Sequence, residues 1–151
     1  MKRPIYRLLL LVLLLSGSSL AFAGTTTINF EQYAEYTLIT NQYTAADGVT
    51  FSNALQLVAP DYDYFDYPPH SGNGVITDAG DYPDAYDSIG VSFSQGMISV
   101  SGWYTDPYGV IVTAYDSSNN VITTFDGAPV YQADSSFLVT GTYADPIASI
   151  T

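Results

Sequence analysis

Residues 61–67 alternate acidic and aromatic side chains, in the order Asp-Tyr-Asp-Tyr-Phe-Asp-Tyr. In an extended segment, successive side chains point to opposite sides, so acids and rings occur on both sides. A tyrosine ring covers the apolar face of a sugar, and a nearby carboxylate accepts hydrogen bonds from its hydroxyls. The alternative is a loop whose tyrosines pack back onto the protein. The pattern predicts three ligand-binding residues: Tyr62, Tyr64 and Tyr67.

A second aromatic group, Trp103 and Tyr104, ends a β-like run, and Tyr108 follows after a turn. The two adjacent rings, Trp103 and Tyr104, are candidates to bind a ligand by stacking. A role as core anchor is favoured for Trp103, the only tryptophan of the chain, because tryptophan is highly buried on average.

Two other polar features offer weaker chemistry. Residues 78–87 contain aspartates at 78, 81, 84 and 87, which form either a second cation site or a solvated turn. His70 is the only histidine, and a structural hydrogen bond is favoured over a catalytic or metal role. Ser71 lacks the G-x-S-x-G setting of a nucleophile.

The charge pattern excludes several partners and reactions. The three basic residues are all at positions 2–7, whereas the 15 acidic residues all follow Gly24. Nucleic acid is excluded, because phosphate binding requires cationic side chains. The chain has no cysteine, and with one histidine it lacks the usual groups for most enzyme chemistry. We therefore predict that it is not an enzyme. Glycoside cleavage by paired carboxylates is the alternative.

The amino terminus has the three parts of a secretory signal peptide. Basic residues at positions 2–7 precede an apolar stretch at 8–15 and an A-x-A cleavage signature at 21–23. We predict that residues 1–23 are cleaved and that the protein is secreted or on the cell surface, most simply of a bacterium. The alternative is an uncleaved anchor. The remaining residues 24–151 fit one domain and are predicted to contain no membrane span.

Short β-branched and aromatic runs separated by Gly, Pro, Asn and Asp clusters predict an all-β, antiparallel β-sandwich. Residues 116–120 are predicted to be a hairpin turn, and residues 59–87 a long loop interrupted by one short strand. The run at 147–151 looks like a strand, and we expect the domain to lack a further C-terminal strand. The predicted strands are 26–30, 49–58, 74–77, 88–93, 98–104, 110–115, 121–125, 135–140 and 147–151.

Several ordered segments resemble the PEP-CTERM sorting-domain group of bacterial exported proteins: residues 28–31, 41–43, 48–51, 68–73, 91–93, 98–102 and 114–116. The resemblance implies a galactose-binding-like jelly roll, the architecture of many carbohydrate-binding modules. It also implies a calcium site in which Glu31 is the side-chain ligand, with oxygen atoms from Ser71 and Asn73. The acidic pair that completes such sites late in the domain has no counterpart before Thr151.

These features together predict a secreted, non-catalytic binding module for a glycan or exopolysaccharide, with a structural Ca²⁺ ion. The alternative is a structural protein of the cell envelope or extracellular matrix without a small ligand. The sequence leaves this choice open.

Overall fold

The computed structural model describes residues 24–61, 65–80 and 87–151. The predicted signal peptide (1–23) lies outside these residues, as do the predicted ligand-binding residues Tyr62 and Tyr64 and the middle of the acidic segment 78–87. Within the described part, no helix is long and apolar enough to cross a membrane.

The described chain is an all-β protein with ten strands and one helical turn, α1 (Thr44–Asp47). All of its strand pairings are antiparallel. The strands are β1 (Leu38–Ile39), β2 (Val49–Ser52), β3 (Ala54–Val58), β4 (Gly74–Asp78), β5 (Gly90–Met97), β6 (Ser99–Asp106), β7 (Val110–Tyr115), β8 (Val121–Gly127), β9 (Val130–Thr140) and β10 (Ile147–Ile150).

The strands form three sheets. A five-stranded sheet has the order β2-β5-β10-β7-β8, a three-stranded sheet has the order β1-β3-β4, and β6 pairs with β9. The predicted strand at 147–151 is therefore confirmed, as β10 at the centre of the largest sheet.

Two apolar clusters show how the sheets pack. The first joins β2 and β5 to the three-stranded sheet and includes Phe51. The second joins β10, β7 and β8 to the β6–β9 pair and includes Ile147, which is fully buried. Val91 and Phe93, two residues apart on β5, contact both clusters. Because side chains two apart in a strand share a face, both smaller sheets cover the same face of the five-stranded sheet. The result is a two-layered arrangement, as in a β-sandwich.

Local sequence explains most strand positions, and two departures have physical causes. The predicted strand 49–58 is broken at Asn53, whose φ is +56°. Asparagine tolerates this left-handed conformation, so the chain leaves the five-stranded sheet there and enters the three-stranded one. The predicted strand 26–30 is wrong. No strand of the described chain pairs with it, because the carbonyl oxygens of Asn29 and Phe30 accept from the Tyr43 hydroxyl (2.8 Å) and the Gln56 amide (2.6 Å) instead.

The predicted hairpin turn at 116–120 is confirmed between β7 and β8. The carboxylate of Asp116 accepts hydrogen bonds from the backbone N–H groups of Ser118 (2.7 Å) and Asn120 (2.9 Å) and from the Asn120 side chain (2.8 Å). These bonds, above all those from Asn120, lower the pKa of Asp116. The turn is therefore held by one carboxylate, which the sequence pattern alone had marked only as tolerant of turn geometry.

Candidate functional site

The segment 65–71 lies across the outer face of the β6–β9 pair. Gln132 donates hydrogen bonds to Asp66 from its backbone (3.0 Å) and from its side-chain amide (2.9 Å). The hydroxyl of Thr105 on β6 lies 2.8 Å from the carbonyl oxygen of Ala133 and 3.3 Å from that of Pro68. These contacts fasten the second half of the predicted acid–aromatic loop to the two strands.

His70 and Trp103 are in direct ring contact on this surface. The two rings are stacked with their centroids 3.6 Å apart and their planes 7° from parallel. The imidazole Nδ1 hydrogen-bonds to a carboxylate oxygen of Asp134. An ionised carboxylate only accepts hydrogen bonds, so Nδ1 carries the hydrogen of this bond. Asp134 therefore fixes the orientation of His70.

Trp103 is 54 % exposed even though His70 covers one face of its ring. The exposed area therefore belongs to the other face and the edge of the indole. The core-anchor role that the sequence favoured for Trp103 is wrong, because the ring stands on the outward side of β6. The hydroxyls beside it belong to Ser101, two residues earlier on the same side, and Ser136, which pairs with Trp103 across to β9.

Tyr104 points to the other face of β6. Its ring packs edge-on against Phe125, 6.2 Å away, and its hydroxyl donates to the carbonyl oxygen of Ala128 (3.1 Å). Adjacent residues of a strand necessarily face opposite sides. Trp103 and Tyr104 therefore do not form the joint aromatic face that the sequence suggested.

Tyr67 lies on the same surface as Trp103, carried there by the docked segment. Its ring is 6.2 Å from that of Tyr131 on β9, at an interplanar angle of 86°. The two rings are 38 % and 51 % exposed. Sequence reasoning identified Tyr67 but missed Tyr131, as well as Asp134, because neither lies in an aromatic or acidic run. Tyr108, in the turn after β6, is 80 % exposed.

Glu31 is brought to the segment 71–74, as the predicted calcium site requires. The atoms that face its carboxylate, however, are hydrogen-bond donors: the backbone N–H groups of Asn73 (3.0 and 3.1 Å) and Gly74 (3.1 Å). Gly72 has a φ of +58°, and a Cβ atom there would overlap the Glu31 carboxylate. The loop is thus shaped to place N–H groups on a carboxylate.

This arrangement does not fit calcium, which is bound by six to eight oxygen atoms. No group of three or more His, Asp or Glu side chains comes together in the described ranges. Among the described residues, the buried side-chain oxygens without a hydrogen-bond donor are those of Glu35 and Gln56, and neither residue belongs to the predicted calcium site. Glu31 therefore closes a hydrogen-bonded turn with the backbone N–H groups of Asn73 and Gly74, and we expect no calcium ion on Glu31, Ser71 and Asn73.

We expect Glu31→Ala to lower the free energy of unfolding by about 1–2 kcal/mol, since two backbone N–H groups lose a charged acceptor. Glu31→Gln keeps one acceptor oxygen and should lose less. Urea unfolding of both variants measures this. Calcium or a chelator should leave the melting temperature of the unmodified chain unchanged. A rise with calcium that Glu31→Gln abolishes would contradict the turn and support the metal site.

Comparison of the chain with protein families, with curated proteins and with solved structures gives no match. The resemblance to the PEP-CTERM group therefore stays a prediction, and function has to be argued from the surface itself.

Proposed function

We propose that this protein is a secreted, non-catalytic module that binds a neutral glycan. The binding site is the outer face of the β6–β9 pair, here called the glycan surface and made of Tyr67, His70, Trp103, Tyr131 and Asp134. The observation that carries the proposal is the exposed face of Trp103, held flat by its stack on His70.

The glycan surface combines the two interactions that sugars need. An exposed, immobilised indole offers an apolar plane to the C–H face of a pyranose ring. Hydrogen-bonding groups flank it: the carboxylate of Asp134, Nε2 of His70 and the hydroxyls of Ser101 and Ser136. Because Trp103 and His70 are already held in place, little side-chain freedom is lost on binding.

The charge of the chain selects the class of glycan. After Gly24 the sequence has no Lys or Arg and 15 acidic residues. Polysaccharides with carboxylate or sulfate groups would be repelled, since no cationic side chain is available to pair with them. We therefore expect neutral polysaccharides to be preferred.

The finer features that the sequence suggested belong to the same proposal. A jelly-roll connection of the two layers, export by the predicted signal peptide and kinship with the PEP-CTERM group are all compatible with a glycan-binding role at a cell surface. None of them is needed for the argument from Trp103.

Electrophoresis of the purified chain through native gels that contain single soluble polysaccharides tests the proposal. At least one neutral polysaccharide should retard the chain in a concentration-dependent manner, and polysaccharides rich in carboxylate or sulfate should not. Retardation should be the same with calcium and with a chelator. Absence of retardation by a broad neutral panel would favour the alternative, a structural protein of the envelope or matrix.

A further inference from the structure

A long cleft separates the two smaller sheets. It is lined by residues 74–77 of β4 on one side and by all of β6 (Ser99–Asp106) on the other, and its volume is about 2180 Å³. Residues 24–31 run along its wall. The layer below is a continuous five-stranded sheet. The layer that contains the cleft consists of two separate sheets, one of three strands and one of two.

The edge of β6 that faces the cleft has backbone groups without a strand partner in the described chain. The N–H group of Gly141 donates to the carbonyl oxygen of Ile98 (2.8 Å), so this is a hydrogen-bonded pair of the β6–β9 register. In an antiparallel pair, residues alternate between bonding to the partner and pointing away from it. The residues of β6 whose backbone groups point away from β9 are therefore Ser99, Ser101 and Trp103.

β4 also has backbone groups that point toward the cleft. On β3, Gln56 donates its N–H to Thr37 (2.9 Å) and accepts at its carbonyl from Tyr36 (2.9 Å), both on the side away from β4. Its partner in the β3–β4 register is Ile76. The backbone N–H and carbonyl groups of Ile76 consequently point away from β3, toward the cleft. Two sheet edges with available hydrogen-bonding groups thus face one space.

The floor of the cleft is apolar. The five-stranded sheet contributes Phe51, Val91, Phe93, Met97 and Ile150 to its lining. A strand laid in the cleft would direct every second side chain onto this floor and the others to solvent. We therefore expect a segment that binds in the cleft to have apolar side chains at alternate positions.

The edges lack proline and lysine, two residues that protect exposed strands, although β4 has only 5 residues and the β6–β9 register shifts between Tyr104 and Asp106. β6 is 8 residues long, and neither it nor β4 contains a proline or a lysine. Exposed edges are usually blunted by such residues, by shortness or by bulges. β1, at the far side of the three-stranded sheet, has only 2 residues, and β9 carries a positive φ at Gln132.

We propose that this cleft is a strand-binding site. It takes one extended segment of a separate partner polypeptide, which adds between β4 and β6 and joins the two smaller sheets into one. The carboxylates at the cleft belong to Glu31, Asp47, Asp106 and Asp134, and the cleft shares Asp134, Tyr67, His70 and Trp103 with the glycan surface. The segment is therefore apolar at alternate positions, with Lys or Arg among the others, and about as long as β6.

The test uses the purified chain and a panel of eight-residue peptides with Val or Ile at alternate positions and Thr or Lys between them. A matched control has the same side chains with N-methyl groups on alternate backbone amides, which removes the donors of one edge. A second control has the same composition in non-alternating order. The readouts are the melting temperature and amide hydrogen exchange.

At least one alternating peptide should raise the melting temperature by several degrees in a saturable manner. It should also slow exchange at Ile76, Ser99, Ser101 and Trp103 by at least about 10-fold, and both controls should fail. The proposal is overturned if no alternating peptide has these effects. It is equally overturned if those four amides already exchange as slowly in the free chain as the centre of β7, because the cleft would then be filled by the chain itself or by a second copy.

Ser101→Pro, which removes one edge donor, should weaken the peptide effect, whereas Ser101→Thr should not.

Discussion

Replacing Trp103 by alanine is expected to weaken binding of a retarding neutral polysaccharide about 10- to 30-fold, the effect of losing a central aromatic contact. The free energy of unfolding should change by less than about 1 kcal/mol, because the indole is mostly exposed and contributes little to the core. Native-gel retardation against polysaccharide concentration gives the affinity, and urea unfolding gives the stability.

A matched control for this substitution is Tyr108→Ala. Tyr108 is the more exposed of the two rings, and it lies in the turn after β6, outside the glycan surface. Its loss should leave both affinity and stability unchanged. Equal affinities of Trp103→Ala and the unmodified chain would contradict the proposed site, whatever glycan is bound.

Replacing Tyr43 by alanine is expected to cost about 3–5 kcal/mol of unfolding free energy, the usual cost of deleting a large buried aromatic side chain. Tyr43 is 4 % exposed. Its ring lies edge-on to those of Phe30, Tyr33 and Phe51, with centroids 5.7–6.1 Å away. A loss of this size is a large part of the stability of a small domain. Urea unfolding measures it, and a loss below about 1 kcal/mol would contradict the packing of the first cluster.

The hydroxyl of Tyr43 also predicts a pH dependence. It donates to the carbonyl oxygen of Asn29 (2.8 Å), and burial, followed by Tyr33 and Asp47, raises its pKa from 10.0 to about 12. The folded state therefore retains this proton more strongly than the unfolded state. Its contribution to stability is complete below pH 10 and is lost as the pH rises through about 12.

Tyr43→Phe isolates this effect, because the other tyrosines titrate in both proteins. The unmodified chain should be more stable than the variant by about 1 kcal/mol at neutral pH, from the hydrogen bond. The difference should shrink between pH 10 and pH 12. A difference that is constant over this range in urea unfolding would show that the hydroxyl does not titrate with the fold.

The sequence predicts those parts of the fold that depend on the alternation of apolar and polar residues within one strand. β7 occurs at the predicted residues 110–115, and its hairpin turn to β8 follows from Asp and Asn at 116–120. The break at Asn53 was missed because the apolar pattern continues through it. Only a change of sheet, which depends on distant strands, makes the left-handed residue necessary there.

The site was predicted only in part, for a similar reason. Residue type identified Tyr67 and Trp103 as candidate sugar contacts, but their shared location depends on contacts over long sequence separations: His70 with Trp103, and Asp66 with Gln132. Tyr104 could have been separated from Trp103 by strand alternation alone. The direction of the N–H groups at Glu31 could not have been predicted, because it depends on the left-handed backbone at Gly72.

The fluorescence of Trp103, the only tryptophan in the chain, reports directly on the proposed glycan surface. Titration of the purified chain with a retarding neutral polysaccharide should shift the emission to shorter wavelength and saturate at the concentration that half-retards the chain in the gel. Retardation without any change in emission would mean that the glycan binds elsewhere, and the proposed role of Trp103 would then be wrong.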